Sequence, residues 1–224
     1  MPVEIHPISL GFVSVFLLKG EKNILIDAGV PGQIERLTRG LAISNTQLHE
    51  IDLLLLTHGH YDHIGLAREI VEQSGAQTAI HAREKDWLES GISPSPPGAT
   101  LWGRFLRSLM KLAPKMSVTG TPVDISLGDD GFSLEAYGIP ARVVYTPGHT
   151  KGSISVLLES GEAIVGDLAM NTKLLRLSPG MPIFAEDVGL IKTSWRKLLD
   201  LGARIIYPAH GQPFSAQVFR RQLD

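Results

Sequence analysis

Residues Ile51–Thr57 read IDLLLLT, and the next six residues read His58-Gly59-His60-Tyr61-Asp62-His63. This juxtaposition constrains the chain more than any other feature in it. A continuous apolar run of strand length has no hydrophilic face, as expected of a strand buried on both sides. The cluster after it holds three imidazoles and a carboxylate, a density of divalent-metal ligands that packing does not explain. On an extended or turning backbone, positions 58 and 60 point the same way. Asp62 and His63 then fall at the turn into the next helix, so one segment can serve two adjacent metals.

Around this segment the chain alternates strands and helices. Phe12–Leu18 and Ile24–Asp27 read as strands about a turn at Gly20–Asn23, and Pro31 to about Ala42 suits a helix with proline in its first turn. Ile64–Ser74 has helical spacing with Gly75 as a stop, Thr78–Ile80 reads as a strand and Ala82–Glu89 as a short helix. Ser90–Gly98 is a loop by composition. Leu101–Leu112 follows as an amphipathic helix, with Leu101, Phe105, Leu109 and Leu112 on one face and Arg104, Arg107 and Lys111 on the other. Ser90–Gly120 reads as an insertion on the core. Phe132–Tyr137, Arg142–Thr146, Ser153–Leu158 and Glu162–Gly166 are short β-prone runs between glycine turns, Asp187–Leu201 is a helix and Arg204–Tyr207 a last strand. Two similar half-blocks of this kind predict an α/β protein of two packed sheets with helices outside. A chain of 224 residues, 43% hydrophobic and 20% charged, is expected to form a single domain over 1–224 with the helical insertion at about 90–120.

Three further residues stand just past predicted strands. His149 follows Arg142–Thr146 in Thr146-Pro147-Gly148-His149-Thr150, Asp167 follows Val165-Gly166, and His210 follows Tyr207-Pro208-Ala209. Each alone reads as a turn residue. Their recurrence at strand ends adds them to the first cluster. With no cysteine in the chain, disulfides, thiolate ligands and a cysteine nucleophile are excluded, so any metal is held by nitrogen and oxygen. A net charge of −2 gives no global case for nucleic acid. The N-terminal MPVEIHPISL lacks the parts of a signal peptide, and no stretch approaches the ~18 apolar residues of a membrane span. A cytoplasmic protein with a small-molecule substrate and no membrane partner is expected, with a homodimer as an option.

The string THGHYDH resembles the signature of the metallo-β-lactamase superfamily, and the TPGHT, GD and PAHG elements follow in the same order, from Ile24-Leu25-Ile26-Asp27-Ala28-Gly29 through His210. The resemblance implies an αββα sandwich of two mixed β-sheets, with metals at the edge of the sheets. It implies that His58, His60 and His149 hold a first ion, that Asp62, His63 and His210 hold a second, and that Asp167 bridges them. The ions implied are two divalent metals, zinc ahead of iron or manganese. The reaction implied is hydrolysis of an ester, thioester or lactone by a metal-bridging hydroxide, with Asp62 also orienting the nucleophile. Asp27 is either a support to the ligands or a turn former.

Within the superfamily, absence of cysteine together with presence of Asp167 resembles the glyoxalase II, lactonase and phosphodiesterase branches more than enzymes that destroy β-lactams. The chain ends soon after His210, without the glutathione-binding helical region of glyoxalase II, which puts a glutathione thioester in doubt. Asp62-His63-Ile64-Gly65-Leu66 departs mildly from the family's Asp-His-X-Gly-Gly. The alternatives are an iron-dependent oxidoreductase of the persulfide dioxygenase kind, a phosphodiesterase, and a non-catalytic binding module. Leu101–Leu112 is either a lid, with Trp102, Phe105 and Met110 shaping an apolar pocket, or a surface helix packed on the core or at a dimer interface. His81 lines the site at most, His6 and His49 are structural or exposed, and Tyr61 and Tyr145 are either oxyanion donors or packing residues.

Overall fold

The computed structural model describes residues 3–110, 117–172 and 178–224. Two six-stranded sheets face one another. The first runs in chain order, β1 (Ile5–Ser9), β2 (Ser14–Lys19), β3 (Asn23–Ile26), β4 (Ile51–Leu55), β5 (Gln77–His81) and β6 (Ile125–Leu127). The second runs in order too, β7 (Phe132–Ser133), β8 (Ala141–Tyr145), β9 (Ile154–Leu158), β10 (Glu162–Gly166), β11 (Ile205–Pro208) and β12 (Phe214–Ser215). Both sheets are mixed. β3 to β6 pair in parallel in one and β10 with β11 in the other, while the remaining ladders are antiparallel.

The continuous apolar runs are explained by four layers. On β2 and β4, Phe16, Leu18, Leu53 and Leu55 enter the core between the sheets, while Val15, Leu17 and Leu54 enter a second core beneath α1 (Ile34–Ile43) and α3 (Ala67–Ser74). On β9 and β10, Val156, Leu158 and Ile164 face the inter-sheet core, and Leu157, Ala163 and Val165 face α6 (Val188–Asp200) and α7 (Gln217–Leu223). Successive side chains on a strand point to opposite faces, so a strand with a helix layer on one side and a sheet on the other has no polar position. The chain is therefore an αββα sandwich. Fully burying each such aliphatic side chain contributes about 1.5–3 kcal/mol.

The helix α6 does more than cover the sheet. Its Trp195 is fully buried, stacks on Phe219 with centroids 4.3 Å apart, and donates its indole N–H to the carbonyl of Leu168 at 3.0 Å. That carbonyl belongs to the turn that carries Asp167.

Several sequence expectations change. β1, β6, β12 and α7 carry too little pattern to be foreseen, being short or at the sheet edges. The run Phe132–Tyr137 is a strand only over Phe132–Ser133. Glu135–Tyr137 is a 3₁₀ turn that closes on Gly138, and it swings Leu134 and Tyr137 into the inter-sheet core. The helix expected over Ile64–Ser74 is two, α2 (Tyr61–Ile64) and α3. The N–H groups of Gly65 and Leu66 leave the helical ladder to donate to the carbonyls of Gly29 and Ala28, at 2.8 and 3.3 Å. The run Ala82–Glu89 begins as a 3₁₀ turn over Ala82–Glu84 and continues as α4 (Lys85–Ser90).

The largest change concerns α5 (Leu101–Met110); Lys111 and Leu112 lie outside the described residues. The apolar stripe read from the sequence does not face the protein: Leu101, Phe105 and Leu109 are at least half exposed, as is nearly so Trp102, which stacks on Phe105, and only Leu106 among the helix's other described apolar side chains is partly buried. The buried residue is Gly103, where a Cβ would stand 2.0 Å from the carbonyl oxygen of Ile183. Only glycine allows this backbone approach, and it sets the contact line of the helix in place of the apolar stripe. Because that stripe lies outside, Phe105→Ser is expected to change unfolding stability by no more than about 0.5 kcal/mol. Thermal melts of the two proteins measure this, and a loss several times larger would show that the stripe is buried in the protein's working state.

Candidate metal centre

The loops that follow β4, β8, β10 and β11 meet at one edge of the sandwich. β4 ends at Leu55, three residues before His58, and His60 then caps α2 with extended backbone, which places Asp62 and His63 in the first helical turn. His149 follows β8, Asp167 follows β10 directly, and His210 follows β11. The loops are stitched together by backbone hydrogen bonds: Ile154 N–H to Thr57, Ser14 N–H to Ala209, Ala209 N–H to Gly166, and Ala28 N–H to His63. The structure thus brings together all seven residues singled out in the sequence.

The donor atoms form three overlapping groups, His58–His60–His149, His58–His63–Asp167 and Asp62–His63–His210. In the first, His58 Nε2, His60 Nδ1 and His149 Nε2 lie 2.9, 3.0 and 3.2 Å from one another. Ligands on a tetrahedral ion with bonds of ~2.0–2.1 Å stand roughly 3.3 Å apart, so these separations suit a shared cation. Asp167 faces both sides. Its Oδ1 lies 3.2 Å from His210 Nε2 and 3.4 Å from His63 Nε2, and its Oδ2 lies 3.6 Å from His149 Nε2. Asp62 Oδ2 is 3.4 Å from His210 Nε2.

The remaining ring nitrogens fix the tautomers. His149 Nδ1 donates to the Phe184 carbonyl at 3.0 Å, and His210 Nδ1 to the Phe12 carbonyl at 2.8 Å. His63 Nδ1 donates to Asp27 Oδ2 at 2.8 Å. The Thr57 hydroxyl gives its single proton to Asp27, so it accepts from His58 Nδ1 at 3.1 Å. A neutral imidazole with its proton on Nδ1 has a bare lone pair on Nε2. His58 and His149, which burial keeps neutral, therefore aim Nε2 acceptors at the same small volume as the His60 nitrogen and the carboxylate oxygens, and His63 and His210 do the same once deprotonated. Acceptors facing acceptors repel unless a cation sits among them. Consistent with this, His63 Nε2 and Asp167 Oδ1 are buried yet make no hydrogen bond, and buried polar atoms without partners are rare in folded proteins.

Electrostatics divide the centre. Burial, with His149 next in effect, pushes His60 down to about 3, and burial with the neighbouring imidazoles also holds His58 well below the usual range. At His210, burial opposes the charge but Asp167 and Asp62 outweigh it and push the imidazole up to about 10. Burial would raise Asp62 and Asp167, yet His63 and His210 hold both carboxyls below their ordinary values, well below for Asp167. The first trio thus refuses protons while the carboxylate side demands positive charge.

Asp27 settles into a role beside the ligands while also turning the chain. Its φ is +65°, it is fully buried, and its carboxylate takes Thr57 N–H, the Thr57 hydroxyl and His63 Nδ1. One carboxylate so orients His63 directly and His58 through Thr57. Other sequence candidates stand apart. His81 Nε2 bonds Asp129 at 3.1 Å and its ring stacks on Tyr145. The Tyr145 hydroxyl donates to the Lys151 carbonyl at 2.9 Å. His6 pairs with Glu4, and His49 is exposed. Tyr61 is partly buried, and burial together with Asp62 pushes its hydroxyl up to about 12, so it stays protonated.

Sequence reasoning missed four supports: the Thr57 hydroxyl, the carbonyls of Phe12 and Phe184, and the buried carboxylate of Glu84. Carbonyls have no side-chain signal, and Glu84 lies in an ordinary amphipathic stretch. Two aromatic rings also flank the centre. Phe12, about half exposed, stacks parallel on His210 at 5.7 Å, and Trp87 stacks on His60 at 6.1 Å.

Comparison with known proteins bears on this geometry. The family model described as the metallo-beta-lactamase superfamily matches residues 8–210. "Probable metallo-hydrolase YflN" of Bacillus subtilis is 25% identical over 98% of this chain and 88% of its own length. "Probable metallo-hydrolase YqjP" of the same organism is 30% identical over 94% of this chain and 70% of its own. Among solved structures, an archaeal metallo-beta-lactamase superfamily protein from Sulfolobus tokodaii superposes with a TM-score of 0.69 at 23% identity, covering 98% of this chain and 84% of that one. A subclass B3 metallo-beta-lactamase of Bradyrhizobium japonicum gives 0.65 at 22% identity, over 93% of this chain and 75% of that one.

Proposed function

The chain belongs to the metallo-beta-lactamase superfamily, and from that premise we propose that it is a dinuclear hydrolase of an ester, thioester or lactone. The coarser statement, a metal-dependent hydrolase, follows from the family and from the His and Asp cluster. In the finer reading His58, His60 and His149 would hold one ion, Asp62, His63 and His210 would hold the other, and Asp167 would serve both. The observation that carries it is Asp167, whose two oxygens face different imidazole sets while Oδ1 lacks any hydrogen bond. Zinc suits these nitrogen and oxygen donors. Bound divalent ions supply a lowered pKa for water and polarisation of the scissile carbonyl. The chain's own residues do the rest. Asp62, held ionised, orients the attacking water and takes up its proton. Asp27 and Thr57 keep His63 and His58 in the ligating tautomer. Phe12 and Trp87 offer apolar walls to a small substrate. The whole of 1–224 acts as one domain, with 90–120 as its insertion.

Elemental analysis of protein purified without added metal tests the reading. About two zinc ions per chain are expected, followed by turnover in a screen of lactones, thioesters and phosphodiesters. Iron at about one per chain, with oxygen consumption on persulfides, would replace the hydrolase by the oxidoreductase.

A pH experiment separates the two sites. Coordination needs neutral imidazole, so a proton on a ligand must leave first. In metal-free protein at pH 8 His210, held up to about 10, keeps its proton, whereas His60, held down to about 3, has none. His63, the other imidazole of that set, is also held well above the ordinary range: burial opposes its charge, but Asp27, Asp167 and Asp62 outweigh it. Uptake of the second ion is therefore expected to release protons from His210 and His63 and to tighten as pH rises from 6 to 9, while His60 adds no such dependence to the first. Calorimetry in two buffers of different ionisation enthalpy measures the release. Binding of both ions without it would contradict this division.

A further inference from the structure

Glu84 sits outside the seven residues of the centre, yet it is fully buried and lies against two of the ligand loops. Its Oε2 accepts the Gly59 N–H at 2.5 Å, between His58 and His60. Its Oε1 accepts the Gly152 N–H at 2.8 Å and the Thr150 hydroxyl, one residue past His149. Thr150 is braced in turn by Ser153, whose hydroxyl lies 2.7 Å from the Thr150 hydroxyl and accepts the Thr150 N–H at 3.0 Å. Gly152 carries no side chain where one would collide, since a Cβ there would stand 2.7 Å from Glu84 Cγ. Among the described residues no cation pairs with this carboxylate, and a buried carboxylate without a cationic partner costs several kcal/mol. Three neutral donors offset part of that cost. Hydrophobic packing would fill the volume without any of it, so the position does something packing does not.

Resting on the metal-centre reading above, we propose that Glu84 is a positioning residue that sets the spacing of His58, His60 and His149 and so the affinity of the first metal ion. The Gly59 end fixes the span between His58 and His60, and the Thr150–Gly152 end fixes the loop of His149. One rigid group thus holds the three donors from both sides, although they come from opposite sheets. The next turn of the same segment places Trp87 over the His60 ring at 6.1 Å, so His60 is held by its backbone and its face together. Metal sites tolerate about 0.5 Å of error in donor position, a tolerance that unbraced loops exceed. None of the hydrogen bonds of Glu84 reaches Asp62, His63 or His210, so the second ion is expected not to depend on it.

The test is a cobalt(II) titration of the full chain, read by visible absorption and by bound metal, with His149→Ala and His210→Ala as spectral references for loss of the first and second ion. Glu84→Gln keeps the shape but turns an amide donor toward at least one of the three donors. It is expected to weaken the first ion by about 10- to 100-fold, the effect usual for groups that orient ligands, and to leave the second unchanged. Its spectrum at low cobalt should match that of His149→Ala. Glu84→Asp, which keeps the charge but is one methylene short, should fall between Glu84→Gln and wild type. Thr150→Val removes one donor without touching the carboxylate and should weaken the same ion to a smaller degree, so it carries the test if Glu84→Gln does not fold. Wild-type affinity and spectrum in Glu84→Gln, or in Thr150→Val in that event, would overturn the proposal. Wild-type protein that binds no cobalt would overturn the metal-centre reading and this inference with it.

Discussion

Asp62→Ala is expected to abolish turnover and to loosen the second metal ion while leaving the fold intact. Asp62 stands in the first turn of α2 with its side chain 14% exposed and its Oδ2 3.4 Å from His210 Nε2. No hydrogen bond of the kind that holds Asp27 or Glu84 ties its carboxylate to a neighbouring backbone, so its removal costs the scaffold little. On the proposed reading it removes a ligand and, in the same stroke, the ionised group that would orient and deprotonate water. Loss of a positioned general base alone is worth roughly 10²–10⁴ in rate, and loss of the second ion deepens that. Asp62→Asn, which keeps the shape without the charge, should be nearly as impaired. Steady-state kinetics on any ester or lactone the wild type accepts, with bound metal counted in parallel, measures both effects. Near-normal activity in Asp62→Ala would sink the two-metal mechanism.

Metal removal is expected to be as severe. A chelator should bring activity to background and lower the melting temperature, and zinc should restore both. The stability change follows from mass action: an ion present at a thousand times its dissociation constant stabilises the folded state by about 4 kcal/mol. At roughly 2–4 °C per kcal/mol for a domain of this size, the midpoint should fall by about 8–16 °C. The structural reason is the convergence of imidazole nitrogens 2.9–3.2 Å apart and the buried His63 Nε2 and Asp167 Oδ1, which make no hydrogen bond. Without a cation these groups repel or stay unsatisfied. Melts with and without chelator test this, and an unchanged midpoint with unchanged activity would show that the cluster holds no functional ion.

Much of this was legible in the chain. IDLLLLT could only be a strand covered on both faces, and the layers above and below β4 explain why. HGHYDH suggested ligands because imidazole and carboxylate chemistry is local to the side chain, strand ends beside Gly or Pro added His149, Asp167 and His210, and the fold brings all of these side chains together. The α5 stripe left a lid, a core-packed surface helix and a dimer interface open, because periodicity reports which residues share a helix face but not which way that face turns. A single close approach, Gly103 against the Ile183 carbonyl, decided that. The short edge strands were hidden for a related reason, since two or three residues make no pattern until a neighbour pairs with them.

The sequence by itself thus pointed to the layered sheet architecture, to nitrogen and oxygen donors, and to seven residues that the fold brings together at one edge. Only the tertiary structure decided which nitrogen of each imidazole faces inward, which oxygen of Asp167 faces which imidazoles, and that Asp27 and Thr57 bond to His63 and His58 while Glu84 bonds to the loops that carry His58, His60 and His149. The division has a physical cause. Ligand chemistry is written in side-chain type, whereas tautomer, bridging and bracing depend on contacts between residues as far apart in the chain as Phe12 and His210 or Glu84 and Thr150.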